Sequence, residues 1–154
     1  MSTATTAALP NHLSQVIETL NGTQDSDERA ALLIHWADRY RPVDKSIAQR
    51  PYDPAHQVPF CESDAYVWAV RKDDGTLDLH FAVENPSGIS AKALAAILEQ
   101  TLSGLPAATV AAVPPDIVLE IFRQNISMGK GMGLMAMVQA VQALARAAAS
   151  RVGR

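Results

Sequence analysis

The residue with the most chemistry to offer is Cys61, the only cysteine among 154 residues. One thiol cannot close an internal disulfide, nor supply the several thiolates that a zinc or iron–sulfur site uses. It acts as a lone nucleophile, or it fills space as free cysteines often do. Its neighbours Pro59, Glu62, Ser63 and Asp64 favour a turn, whereas a core cysteine more typically sits inside a periodic apolar run. The thiolate is the reactive form. Glu62 and Asp64 disfavour it if they point at the sulfur, and Arg41, Lys45 or Arg50 favour it if they fold back.

Two chemistries are open to such a thiol. A cysteine hydrolase needs a histidine base and a group to orient it. His56 and His80 are the candidates, and neither sits in a recognisable local signature. A sulfur relay needs less: the thiol attacks a persulfide on a donor, takes the terminal sulfur and later yields it to a third thiol. Such a carrier must shelter the bound sulfur and then present it, which a cysteine on a loop over an apolar pocket does. The four histidines (His12, His35, His56, His80) lack the i, i+4 spacing of helical metal ligands, so no metal is expected. Gly129-x-Gly131-x-Gly133 is not the dinucleotide fingerprint, which requires a glycine where Leu134 stands and a strand ahead of it. It reads as a flexible helix start. Met128, Met132, Met135 and Met137 read as core and pocket filling, and Trp36 and Trp68 as core aromatics.

The elements that position the thiol follow from periodicity. Leu13, Val16, Ile17 and Leu20 mark an amphipathic helix closed by Asn21-Gly22. A second helix, capped by Ser26 or Asp27, runs to about Tyr40 with Leu32, Leu33, Trp36 and Tyr40 inward. From Arg41 to Pro59 four prolines stiffen a long loop whose basic residues Arg41, Lys45 and Arg50 serve solvation or docking. Ala65 to Val70, the turn Asp73-Asp74-Gly75 and the alternation Leu77, Leu79, Phe81 spell a β-hairpin whose second strand has one buried and one wet face. Ser87 or Ser90 caps a third helix with Leu94, Ile97, Leu98 and Leu102 on one stripe, ended by Gly104. Ala107 to Val113 is a short turn of helix, Ile117 to Phe122 another segment, and a last helix spans about Met132 to Ser150.

The fold expected is α+β: a small, hairpin-based antiparallel sheet of about three strands covered by several helices. A single domain over 10–150 is flanked by a disordered N-terminal tail, 1–9, and a C-terminal tail, 151–154. The net charge of −3 gives no global pull toward nucleic acid or anionic lipid. No apolar run approaches the roughly 18–20 residues needed to span a bilayer. Met1 to Pro10 holds no basic residue, so neither a secretory signal nor a transit peptide fits, and a reducing, cytoplasmic compartment is expected.

The run Val58-Pro59-Phe60-Cys61-Glu62-Ser63-Asp64-Ala65-Tyr66-Val67-Trp68 resembles the central signature of the SufE family: Val, any residue, Gly, Cys, any residue, Ser, then a strand ending Val-Trp. Ser127-Met128-Gly129-Lys130-Gly131-Met132-Gly133-Leu134 is similar to that family's Ser-x-x-Arg/Lys-x-x-Gly-Leu segment before its last helix. The order of the elements between them also matches, and the likeness covers residues 10 to 148. The resemblance implies a SufE/IscU-like fold and a sulfur acceptor that stimulates a cysteine desulfurase. Sulfur would be held as a persulfide on Cys61 and passed to the iron–sulfur assembly machinery. This is sulfurtransferase-like work without stand-alone turnover. It further implies a SufS-like desulfurase partner that itself carries the pyridoxal phosphate, and a downstream SufB-like scaffold. Phe60, Glu62, Ser63 and Lys130 become the loop and partner-contact candidates, with no cofactor or metal on this chain. The alternative is an interaction module that keeps the fold and regulates a partner without carrying sulfur.

The chain departs from the pattern in three places. Phe60 replaces the usual glycine, which would allow a positive φ and leave space beside the sulfur. Two more residues separate Ser63 from Val67-Trp68 than in short bacterial members, which looks more like cyanobacterial or plastid-type members. Glu84-Asn85-Pro86-Ser87 stands where many members have an Asp-rich turn, so no acidic partner contacts are carried over there.

Overall fold

A computed structural model of the protein describes residues 9–152. At its centre lies the hairpin that the alternation requires. Strands β1 (Ala65–Arg71) and β2 (Thr76–Val83) pair antiparallel, in register from Ala65↔Val83 to Arg71↔Leu77. Gly75 takes a φ of 85° in the turn, and Asp74 closes it by accepting from the Thr76 amide and hydroxyl. A two-residue strand, β3 (Leu105–Pro106), joins the other side of β2 and completes three strands in the order β1–β2–β3. Beyond β3 the same flank of β2 is met by other groups. Gly104 donates to the Leu77 carbonyl, Leu79 donates to Ser103 Oγ, Val43 donates to the Phe81 carbonyl and Val83 donates to the Tyr40 hydroxyl. On the outer flank of β1, Val58 donates to the Ala65 carbonyl, Gln57 bridges Tyr66, and His56 Nδ1 lies 2.9 Å from the Val67 carbonyl.

Among the described residues, six α-helices surround this hairpin: α1 (Asn11–Asn21), α2 (Ser26–Asp38), α3 (Ile89–Leu102), α4 (Ala107–Ala111), α5 (Ile117–Phe122) and α6 (Met128–Val152). Val67, Leu77, Leu79 and Phe81 are buried on the sheet face where α3 packs on β2 and α6 on β1. The expected stripes of α1 (Leu13, Val16, Ile17, Leu20) and α3 (Leu94, Ile97, Leu98, Leu102) are buried with them. Each such side chain contributes about 1.5–3 kcal/mol when fully removed from water. Since α1 and α2 pack on the other side of α3, its alanines Ala91, Ala93, Ala95 and Ala96 are buried too. The fold class is thus the α+β arrangement expected.

Several local expectations are corrected. The second face of the hairpin is only partly wet: Asp78 and His80 stay half-exposed, but Val43, Trp68 and Ala82 form a smaller core there, with Ile47, Tyr52 and Tyr66 packed against it. The proline-rich loop covers that face and is pinned by Arg50, whose Nε and Nη2 donate to Glu84 at 2.9 and 2.8 Å. Helix α3 starts at Ile89 with Gly88 in the cap position, so neither Ser87 nor Ser90 caps it, and Asp25 precedes α2 in the same role without a side-chain bond. On α2, Leu33 is buried whereas Leu32 and Trp36 are half-buried; the helix ends at Asp38, so Tyr40, also half-buried, lies just past it. The Arg39 guanidinium lies 4.6 Å from the centre of the Trp36 ring.

The last helix begins at Met128, four residues before the expected start, and its stretch Met128–Ser150 is long and apolar enough by length and composition to cross a membrane. That overturns the expectation of no such run. The alanines and valines between its larger side chains extend an apolar stretch that no single hydrophobic cluster announces. Nearly half of it is buried, through Leu134, Met137, Val138, Val141, Ala145 and Ala148, as befits a core helix of a folded domain. Residues 151–152 continue α6 into the segment expected as a tail. The remaining expected tail residues, 1–8 and 153–154, lie outside the described residues. Only Met137 of the four methionines is fully buried. Met135 is half-buried, while Met128 and Met132, one turn apart, are exposed because they lie on the face of α6 opposite the buried Leu134, Met137, Val138 and Val141.

Candidate functional site

Cys61 sits at the tip of a tight reversal just before β1. The Val58 amide donates to the Ala65 carbonyl at 2.8 Å across its base, and the Asp64 amide reaches the Cys61 carbonyl at 3.3 Å. From the other side, the amides of Glu84 and Asn85 donate to the carbonyls of Asp64 and Ser63, each at 3.1 Å, and tie the reversal to the end of β2. Two of its residues adopt left-handed backbone, Phe60 at φ 62° and Asp64 at φ 51°. Aspartate tolerates this region, but for phenylalanine it costs about 1–2 kcal/mol. The loop keeps the backbone that glycine would take at position 60, although the residue is Phe and its ring is 87% exposed.

Two glycines let the helices come up against this reversal. A Cβ on Gly133 of α6 would lie 2.9 Å from the Phe60 carbonyl oxygen and 3.3 Å from Cys61 Cα. A Cβ on Gly88, at the entrance to α3, would lie 2.8 Å from Ser63 Oγ and 3.1 Å from Val83 Cγ1. Contacts that short leave no room for a side chain. Gly133 is therefore a seat for the cysteine loop, a role that reading the glycine run as a flexible helix start misses.

The loop, the start of α3 and the start of α6 enclose a cavity of about 160 Å³. All five residues singled out from the sequence, Phe60, Cys61, Glu62, Ser63 and Lys130, line it together. On the other side of the loop a wider depression of about 570 Å³ is lined by Pro54, Gln57, Val58 and Pro59, with Phe60, Cys61 and Glu62 again in its wall. The half-buried thiol thus belongs to both hollows, and Phe60 stands on the divide. Asn85, Gly88 and Ile89 also line the smaller cavity. The sequence marked 85–88 only as the end of β2 and a source of a helix cap; a Pro-Ser-Gly break directly before an apolar helix is the signal that could have placed these residues at the site.

Charges around the thiol are sparse. Lys130 is the basic residue among those lining the cavity, and Glu62 the acidic one. The basic residues of the long loop turn elsewhere: Arg50 to Glu84, Arg41 toward Glu99 at 4.0 Å, and Lys45 to a hollow beside Tyr52. The two histidines weighed as hydrolase bases line neither hollow. His56 is bonded to the Val67 carbonyl and stacked on Trp68 at 5.3 Å between ring centres, and His80 lies opposite Trp68 in the sheet. Among the described residues no group of three or more His, Cys, Asp or Glu side chains is arranged to hold a metal ion.

These features define an α+β domain that displays one thiol from a loop seated on helix glycines. The family of the Fe-S metabolism associated domain, SufE, matches residues 14–145, and the chain belongs to the SufE family. It is 28% identical over 115 residues to uncharacterised SufE-like proteins of two Mycobacterium tuberculosis strains, covering 75% of this chain and 77% of theirs. A hypothetical protein of Thermus thermophilus, solved in solution, has a similar structure with a TM-score of 0.70 at 25% identity, covering 92% of this chain and 98% of that one. These relatives lend no support to the cyanobacterial or plastid-type affinity that the spacing after Ser63 suggested.

Proposed function

We propose that the protein accepts sulfur from a cysteine desulfurase and carries it as a persulfide on Cys61 for iron–sulfur cluster assembly. The observation that carries this reading is the placement of the chain's sole thiol, half-buried in the wall of a cavity that no histidine lines. Membership of a family associated with Fe–S metabolism supports it. In the step proposed, the Cys61 thiolate, its proton lost to solvent, attacks the terminal sulfur of the donor's cysteine persulfide. A new S–S bond forms to Cys61 and the donor's S–S bond breaks, its electron pair leaving with the donor thiolate. No outside oxidant or reductant is required.

The chain's own residues supply position and shelter. A reversal tied at both sides fixes the sulfur, and the cavity has room for one added sulfur atom, since a water molecule takes up about 30 Å³. Pyridoxal phosphate belongs to the donor, a SufS-like desulfurase, and the downstream acceptor is a SufB-like scaffold, in a reducing cytoplasmic compartment. The test is intact-mass analysis after incubation with a desulfurase, free cysteine and pyridoxal phosphate. A gain of one or more sulfur atoms is expected, reversed by reductant and absent in a folded Cys61→Ala variant. No gain from cognate desulfurases that are themselves charged would leave the regulatory module as the better reading.

A further inference from the structure

A second cleft of about 160 Å³ opens where the start of α2 meets the turn after α5, and it shares no residue with the two hollows at Cys61. Gln24, Ser26, Arg29, Arg123, Gln124 and Asn125 line it. Each of these side chains can donate a hydrogen bond, and none is a carboxylate. None of the three ion pairs among the described residues includes Arg29 or Arg123, so both guanidinium groups lack a counter-charge. Burial, and after it the charge of Arg123, holds the Arg29 pKa below its ordinary value.

Arg29 also keeps an unspent donor. Its Nη1 and Nη2 go to helix-end carbonyls, while its buried Nε has no partner. An N–H closed off from water without an acceptor is costly. Nε shares one edge of the planar guanidinium with Nη2, the edge that Arg50 presents to Glu84. On Arg29 this edge is turned to the Glu120 and Ile121 carbonyls. It therefore faces the end of α5, from which Arg123, Gln124 and Asn125 continue into the cleft wall. Asn125 Nδ2 donates to the Ser26 carbonyl at 3.2 Å and holds that turn against the start of α2. Asp25, ahead of α2, makes no side-chain cap bond, so the first amides of the helix keep their donors and partial positive charge. Asp27 and Glu28 belong to the same first turn but are exposed and outside the cleft wall.

We propose that this cleft binds a phosphate group, gripped from the solvent side by Arg123 and the amide side chains, with the charge and the free Nε of Arg29 behind it. The site stands apart from the sulfur-acceptor reading, and neither depends on the other. Phosphate fits the chemistry of the wall: its oxygens only accept, they match the guanidinium fork, and a dianion answers two arginines at once. It fits the size as well. A water molecule takes up about 30 Å³, so the cleft admits one four-oxygen anion and little more. An ester substituent on that anion would leave past Arg123 and Gln124, both exposed. Anions are favoured at a helix start for the same reason that its amides are unspent. Arg123 holds a positive φ of 49°, uncommon for a residue with a Cβ and recurrent at ligand clamps.

The test follows the arginine Nε–Hε signals of the intact protein by NMR as inorganic phosphate replaces chloride at constant ionic strength. Arg29 and Arg123 are expected to shift together along one saturating curve, with a Kd of about 1 mM or tighter. Read from the Arg29 signal, Arg123→Gln should weaken that Kd about tenfold or more, while its Tm without phosphate matches wild type. Arg71→Gln, at the exposed end of β1, is the control and should bind as wild type does. Phosphoserine, as a second probe, separates two sources of the same group. A tighter Kd than that of inorganic phosphate marks the end of a phosphorylated metabolite, and an equal or weaker one marks the free ion. Shifts that never saturate, the same response to chloride, or an Arg123→Gln variant that binds like wild type would overturn the proposal. So would binding that leaves the Arg29 signal unmoved.

Discussion

Gly129 and Gly133 stand one turn apart on α6 and should respond oppositely to the same change. A Cβ at Gly129 meets nothing within 4 Å, so Gly129→Ala should stabilise the helix by about 0.5–1 kcal/mol. At Gly133 the same methyl would press on the Phe60 carbonyl and Cys61 Cα. Gly133→Ala should therefore lose that gain, lower the urea midpoint, and change the rate of Cys61 labelling; equal stabilisation by both variants would refute the close seat. Much at this scale was legible beforehand. The lone cysteine among turn-forming neighbours pointed to a loop, and the missing family glycine raised the matter of φ at Phe60. The close approach of Gly133 was not legible, because it depends on how far α6 leans over a loop about seventy residues earlier.

Among the elements, α2 holds the least conventional core residue. Arg29 is 3% exposed and donates to the Leu20 carbonyl at the end of α1 and to the Ile121 carbonyl, at 2.6 Å, near the end of α5. Helix C-termini leave carbonyls without intrahelical partners and carry partial negative charge, so a buried guanidinium answers two of them at once. Burial and the nearby Arg123 push the Arg29 pKa down. Arg29→Met should destabilise the protein by about 1–3 kcal/mol in urea unfolding, because the Ile121 carbonyl loses its close donor while the Leu20 carbonyl keeps the Thr23 amide; a loss below about 0.5 kcal/mol would mean water replaces it. Periodicity found α1, α3 and the hairpin because each buries its own stripe. It passed over Arg29, since a charged residue in the first turns of a helix reads as solvated until another helix end is brought to it. The second face of the hairpin was misjudged in part for a similar reason: Trp68 read as a core aromatic, but Ala82 announces burial only once the proline-rich loop is laid across it.

For the molecule as a whole, that covered face makes stability depend on pH. Burial pushes the His80 pKa below its ordinary value of 6.5, and Asp78 and Asp44 oppose the shift. A histidine with a lowered folded pKa takes up its proton more readily when the chain is unfolded. Its contribution is complete above the ordinary value and is lost as pH falls from there through the lower folded one. The Tm advantage of wild type over His80→Gln should accordingly shrink between pH 7 and pH 5. A gap that stays constant across that range would show that His80 titrates as if in water. The overall architecture was legible as a hairpin under helices. The membrane-length apolarity of α6 was not, because its alanines carry little weight in a search for large hydrophobic side chains.

The hydrogen bonds along the flanks of the sheet reach beyond its own stability. On β2 the Leu77 carbonyl, Leu79 amide, Phe81 carbonyl and Val83 amide are met by Gly104, Ser103, Val43 and Tyr40. On β1 the first three residues are covered by 56–58, and the remaining end runs into the charged pair Arg71 and Lys72. A second polypeptide therefore finds only short free stretches on which to add a strand. Recruitment into growing cross-β aggregates is impeded at both margins, and so is recognition by strand addition. With the strand edges so curtailed, side-chain contact rather than backbone pairing becomes the wider route by which another molecule can be held.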